Sequence, residues 1–217
     1  MTEACQYLHD VLSSLPRLKR EDLARVPKNG IYVLFEKGQA AHDGDRIVRI
    51  GTHRGHNQLP GRIREHLYKR NKDRSIFRKH VGRCLLAKTS DPFLSRWELD
   101  LTSKASRLLN EGKVDKVRLQ EVEADVTRYM VENFSFAVLH FDDKADRLQY
   151  EKNLLSTIYA CPDCGPSETW LGKYHPSQVI REGGLWNVQG LSGAVISCCE
   201  AKRFVGAGMV VERGALS

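Results

Sequence analysis

Tyr32, Arg62, His66 and Glu151 are side chains whose chemical types could act together on a single bond. Gly30-Ile31-Tyr32 opens one apolar stretch and Arg49-Ile50-Gly51 closes the next. Arg62 and His66 follow at helical spacing, and Glu151 comes much later. Breaking a phosphodiester requires an activated water, counter-charge for the pentavalent phosphate and stabilisation of the leaving oxygen. A phenol is a poor base at its ordinary pKa of ~10, and nearby cations favour the phenolate. A guanidinium clamps phosphate with its planar fork, and residues spaced i, i+4, as Arg62 and His66 are, share a helical face. A lone carboxylate such as Glu151 suits Mg2+, which keeps most of its waters. Gly30 and Gly51 allow close backbone approach where the strands leave a sheet.

The surrounding pattern supplies elements to hold these groups. Residues 3–14 place Ala4, Leu8, Val11 and Leu12 on one helical face, ended by Pro16, and "REDLARV" reads as a short turn. "GIYVLFE" and "RIVRIG" are strands joined by the turn-rich "GQAAHDGD", hence an antiparallel hairpin. After the loop "THRGHNQLP" comes a helix from about Leu59 to Arg70. "RSIFRKHVGRCLLAK" is a second, with Ile76, Phe77, Val81 and Leu85 as its apolar side. "PFLSRWELDLTSKASRLL" is a third, opened by Asp91-Pro92, and "RLQEVEADVTRYMVENF" a fourth. "FSFAVLHF" is a third strand with Phe134, Phe136, Val138 and His140 on one side. "KADRLQYEKNLLSTIYA" is a helix with Leu148, Leu154, Leu155 and Ile158 inward, and turns dominate from Cys161 onward.

The order G-I-Y, then R-I-G, then Leu59-x-x-Arg62-x-x-x-His66, then Glu151 on a late helix resembles the GIY-YIG nuclease family. The resemblance implies an α+β fold, a small three-stranded antiparallel sheet flanked by helices. It implies one domain, with a core at 28–90 and 134–160 and a helical N-terminal extension at 1–27. A helical insertion at 91–133 and an irregular C-terminal extension at 161–217 complete it. It implies a divalent-metal-dependent endonuclease acting on DNA, with RNA not excluded, of restriction, repair or mobile-element type. Tyr32 would help to activate water, Arg62 would hold the scissile phosphate, and Glu151 would bind Mg2+ or Mn2+. His66 would relay a proton or donate to phosphate. The second-motif tyrosine is replaced by Arg49, so Arg49 and Tyr68 are both candidates for its role. Asn187 is the candidate for the family's late asparagine. The competing expectation is a catalytically inactive nucleic-acid-binding module. Cutting both strands would call for a homodimer or successive nicks.

Composition is that of a globular protein: 217 residues, 41% hydrophobic, 28% charged, net charge +7. No apolar run approaches the roughly 20 residues that span a bilayer, and the N-terminus lacks a secretory pattern, so a cytoplasmic location is expected. Between Arg62 and Lys88 basic residues crowd together, and Arg64, Lys69, Lys72, Arg74, Arg78 and Lys79 are expected to bind nucleic-acid phosphates. Trp170 and Trp186 suit either base stacking or a core. Six cysteines without an export signal argue against a disulfide framework. Cys161 and Cys164, with Cys198, Cys199 and His175, could ligate zinc. The adjacency of Cys198 and Cys199 favours reduced thiols in a turn and a core instead.

Overall fold

The computed structural model describes residues 2–214. Its three strands are β1 (Ile31–Ala41), β2 (Gly44–Gly51) and β3 (Phe134–Leu139), ordered β2-β1-β3 and antiparallel throughout. The helices in chain order are α1 (Thr2–Ser14), α2 (Leu59–Leu67), α3 (Ile76–Lys88), α4 (Leu94–Trp97), α5 (Lys104–Leu109), α6 (Lys116–Asn133), α7 (Lys144–Tyr159), α8 (Gln178–Gly183) and α9 (Cys198–Gly214). This is the expected α+β arrangement. No helix among the described residues is long and apolar enough to cross a membrane.

Alternation along β1 creates two cores. Ile31, Val33 and Phe35 face α1, α7 and α9, meeting Leu8, Leu12, Leu154, Ile158 and Phe204. Tyr32 and Leu34 face α2, α3 and α6, meeting Ile63, Phe77, Val81, Val126 and Met130. A β-bulge shifts the register from Leu34↔Arg49 to Phe35↔Ile47, leaving Val48 as the extra residue. Val48 joins the second core, and the Arg49 guanidinium lies 4.8 Å from the centre of the Phe77 ring in that same core.

Several boundaries differ from the sequence reading. The hairpin loop is only a two-residue turn, His42-Asp43, both with positive φ (51° and 58°), so β1 runs on to Ala41. The helix expected over "PFLSRWELDLTSKASRLL" breaks into α4 and α5, because Asp100 bonds to Thr102 and Ser106 and Ser103 caps a fresh start. Ile76 and Leu148, expected inward, are exposed. The C-terminal extension, expected to be irregular, carries a long helix among its described residues: α9 starts at a capping box in which Ser197 and Glu200 exchange hydrogen bonds, and packs on α1.

A buried carboxylate joins the sheet to segments far from it in sequence. Glu36, 3% exposed, accepts from the indole N–H of Trp170 (2.8 Å) and of Trp186 (2.9 Å), and from the Tyr129 hydroxyl. Both tryptophans are therefore core residues rather than stacking platforms. Burial raises the Glu36 pKa, and the bonds from Tyr129, Trp186 and Trp170 and the charge of Arg46 pull it back only in part. A folded pKa above the unfolded one gives a stability contribution that is full below the unfolded value, about 4.3, and lost as pH rises through the folded value. The stability advantage of wild type over Glu36→Gln should therefore shrink with rising pH, as read by urea unfolding at several pH values. Glu36→Ala orphans three donors at roughly 1–3 kcal/mol each and should destabilise at every pH.

Candidate active site

A cleft of about 730 Å3 opens where the β1–β2 hairpin meets α2, α3, α7 and the loop after α8. Arg49, Arg54, Arg62 and Lys152 line it, against the carboxylates Glu65 and Glu151. Such a surplus of cations attracts a polyanion.

Each group is held by an identifiable contact. Gly30 (φ +155°) lies so close to the Leu139 carbonyl that a Cβ would overlap it. The Gly30 carbonyl accepts from the Thr52 hydroxyl (2.6 Å), and the Thr52 N–H donates to Glu151 Oε1 (3.1 Å). One short chain of bonds thus ties the first motif, the end of β2 and the carboxylate together. Burial raises the Glu151 pKa, opposed by Arg49, the Thr52 N–H, Arg62 and Arg54. The start of α2 is anchored by the Leu59 N–H on the Lys28 carbonyl (3.1 Å). Asn29 bonds both Asn57 and Asp142, fixing the loop that leads into that helix. Arg62 is half-buried beside Glu65, 3.4 Å away.

Tyr32 lies beneath this surface, 1% exposed, its ring packed so tightly on Gly51 that a Cβ there would overlap the phenol. Its hydroxyl is buried without a hydrogen-bond partner. A buried hydroxyl left without a protein partner costs about 1–3 kcal/mol. His66 sits behind it, ring centres 6.0 Å apart, with Nδ1 2.6 Å from the Ser75 hydroxyl. Burial, then Arg49, Arg62 and Arg78, hold the His66 pKa well below its usual value, so the imidazole is neutral.

Of the two candidates for the second-motif position, only Arg49 lines the cleft. Its Nη1 donates to the Trp186 carbonyl (3.0 Å) and its Nε is buried without a partner. Tyr68 packs outside the cleft under Arg20, its pKa pushed up to about 12 by burial. Asn187 lines the cleft, but both its amide atoms serve Ile50: Nδ2 donates to the carbonyl (2.9 Å) and Oδ1 accepts from the N–H (3.2 Å).

The expected phosphate-binding cations divide. Arg64, Lys69 and Arg74 are exposed, and Lys79 is half-buried on Glu98. Lys72 and Arg78 are interior, which corrects their assignment to the surface. Lys72 Nζ donates to the Leu99 carbonyl (2.7 Å) and to Asp73 (2.9 Å). Arg78, 0% exposed, forks onto Glu123 of α6 at 2.7 and 3.1 Å. The alternative grouping of His175 with Cys198 and Cys199 does not form: Cys199 is exposed, and His175 Nε2 lies 2.8 Å from His80 Nδ1.

Sequence reasoning missed Thr52, Arg54, Lys152 and His80. The Ser177 N–H donates to His175 Nδ1 (2.9 Å), so His175 carries its proton on Nε2 and donates to His80 Nδ1, which Arg83 also approaches. His80 then holds its proton on Nε2, a buried donor without a partner on a residue lining the cleft. Its pKa falls to about 2 through burial, His175 and Arg83, so it is a neutral donor. No spacing rule in the sequence announces it.

Residues 3–195 match the family model of the GIY-YIG domain. Neither the curated proteins nor the solved structures contain a match to the chain.

Replacing Arg54, Arg62 and Lys152 together by alanine should lower the slope of log K against log salt for a DNA duplex by about 0.9 per lost phosphate contact, read by fluorescence anisotropy. Arg78→Ala should instead unfold the protein more easily, by roughly 3–5 kcal/mol, because it leaves Glu123 buried and unpaired.

Proposed function

The chain belongs to the GIY-YIG family, a family of nucleases, and we propose that it hydrolyses DNA phosphodiester bonds as an endonuclease with a divalent cation, Mg2+ or Mn2+, at Glu151. The observation that carries this is the meeting of Arg49, Arg62 and Glu151 at the open end of the hairpin, over a buried tyrosine whose hydroxyl has no partner.

The donor set fits a hard cation. Glu151 offers one carboxylate in an open cleft, and a single backbone N–H bond to Oε1 fixes its orientation. That is the sparse oxygen ligation of a Mg2+ that retains its waters. Such an ion, when bound, supplies charge for the phosphate and lowers the pKa of its water. Arg62 holds the scissile phosphate, with the exposed Arg54 and Lys152 beside it along the strand. Arg49 takes the place of the second-motif tyrosine and supplies charge next to Glu151 in place of a phenol. His80 Nε2–H adds a neutral donor on the α3 wall. Tyr32 gives its unpaired hydroxyl to the attacking water. One cleft serves one phosphodiester, so cutting both strands takes two copies or two successive nicks.

A second reading has its own support. Tyr32 lies below the cleft surface, and the Asn187 amide is committed to the backbone, as a binding module without catalysis would tolerate. A plasmid-nicking assay with Mg2+ separates the two. Tyr32→Phe keeps the ring and its packing and removes a hydroxyl that bonds to nothing in the fold. Cleavage should drop roughly 10²- to 10⁴-fold while melting temperature and DNA affinity hold. Wild-type protein that binds but never nicks would favour the binding module.

Glu151→Gln should abolish cleavage at millimolar Mg2+ without weakening DNA binding. The acid limb of the pH–rate profile should lie above the ordinary glutamate pKa of about 4.3, because burial raises that of Glu151 and its protonated form cannot hold a cation. Raising Mg2+ should move that limb to lower pH, since cation and proton compete for one carboxylate.

A further inference from the structure

Three cysteines and a histidine from separate parts of the chain converge on the face of the sheet that α1 covers. Cys5 comes from α1, His42 from the hairpin turn, and Cys161 and Cys164 from the short 3-10 turn after α7. Their ligand atoms all lie within 4.8 Å of one another. Cys5 Sγ is 3.4 Å from Cys164 Sγ, and His42 Nε2 is 3.4 Å from both Cys161 Sγ and Cys164 Sγ. A tetrahedron with Zn–S bonds of ~2.3 Å and a Zn–N bond of ~2.0–2.1 Å has edges of about 3.5–3.8 Å. The sulfur pair is far beyond the ~2.05 Å of a disulfide. We propose that Cys5, His42, Cys161 and Cys164 form a structural Zn2+ site.

The tautomer of His42 agrees with this role. Its Nδ1 lies 3.0 Å from Gln6 Oε1, which only accepts. The Gln6 amide is oriented by its own donations to Asp10 (2.9 Å) and to the His42 carbonyl (3.3 Å). Nδ1 therefore carries the proton, and the lone pair of Nε2 faces the sulfurs, the partnership typical of a metal-bound histidine. His9 is nearby but is not a ligand. Its Nδ1 bonds the Cys5 carbonyl (3.0 Å) and its Nε2 accepts from the Ile47 N–H (3.2 Å), so both nitrogens are in use. The Cys161-x-x-Cys164 spacing is that of two zinc ligands on one turn. The ion would fasten α1 and the chain after α7 to the closed end of the hairpin, so its binding would add to folding stability.

Protein purified without an affinity tag from zinc-supplemented cells should carry one Zn2+ per chain by plasma mass spectrometry. Exchange with Co2+ should give sulfur-to-metal charge transfer and tetrahedral d–d bands. Cys161→Ser and Cys5→Ser should lose the metal. Cys198→Ser, His175→Ala and Glu151→Gln should keep it, the last separating this site from the cleft. Because ligand variants can misfold, titrating wild type with an organomercurial gives an independent reading: zinc should leave as the buried thiols react. Folded wild type that holds no zinc and shows no tetrahedral cobalt spectrum would overturn the proposal. So would zinc retained in Cys161→Ser, or a Cys5–Cys164 disulfide in the purified protein.

Discussion

The fold turns on one buried carboxyl group, that of Glu36. A carboxylate taken out of water is tolerable only when hydrogen bonds replace its hydration. Glu36 has its replacements from two indoles and a phenol, all outside the strands. Meeting that requirement brings the C-terminal segment and α6 onto the second face of the sheet. Trp186, once held there, uses its backbone N–H to bond the Val48 carbonyl (2.8 Å), and its neighbour Asn187 pairs with Ile50. The free edge of β2 is thereby covered, which removes an exposed pairing edge. The Trp186 carbonyl then holds Arg49 at the cleft. The same carboxylate that organises the core thus aims a cation of the site.

A second buried pair does similar work for the chain between β2 and β3. The Arg78–Glu123 fork, with the Lys72 N–H also donating to Glu123, joins α3 to α6. Charges used this way are unavailable to a ligand. The cation-rich stretch from Arg62 to Lys88 therefore contains two populations, one that solvent and nucleic acid can reach and one that holds helices together.

That division marks where the sequence stops being informative. Strand alternation and helical spacing made the hairpin, β3, α2, α3, α6 and α7 legible, because burial of one face leaves a period in the residues. Motif order was enough to pick out Arg49, Arg62 and Glu151, which the fold brings together. Charge density along the chain carries no direction, so Lys72 and Arg78 looked like their exposed neighbours. Thr52 acts through its backbone N–H and one hydroxyl, and His80 through a tautomer set by His175 and Ser177, so neither leaves a pattern. The start of α9 was legible in Ser197-x-x-Glu200 but lay beyond the turns that dominated the reading. The partners of Cys161 and Cys164 were hidden by distance: Cys5 and Cys164 are 159 positions apart.

The separation between Glu36 and Trp186, 150 residues, also has a meaning in time. At synthesis rates of about 5–20 residues per second, the indole follows the carboxylate by roughly 8–30 s. Until then Glu36 lacks its Trp186 donor and Arg49 lacks the carbonyl that aims it. Glu151 emerges earlier than Trp186, yet the cleft wall formed by residues 186–190 does not exist. A chain shortened before Trp186 would lack both the carbonyl that holds Arg49 and the cleft wall at residues 186–190. Placing the last wall of the cleft 150 residues after Glu36 makes assembly of the site wait on the segment that follows α8.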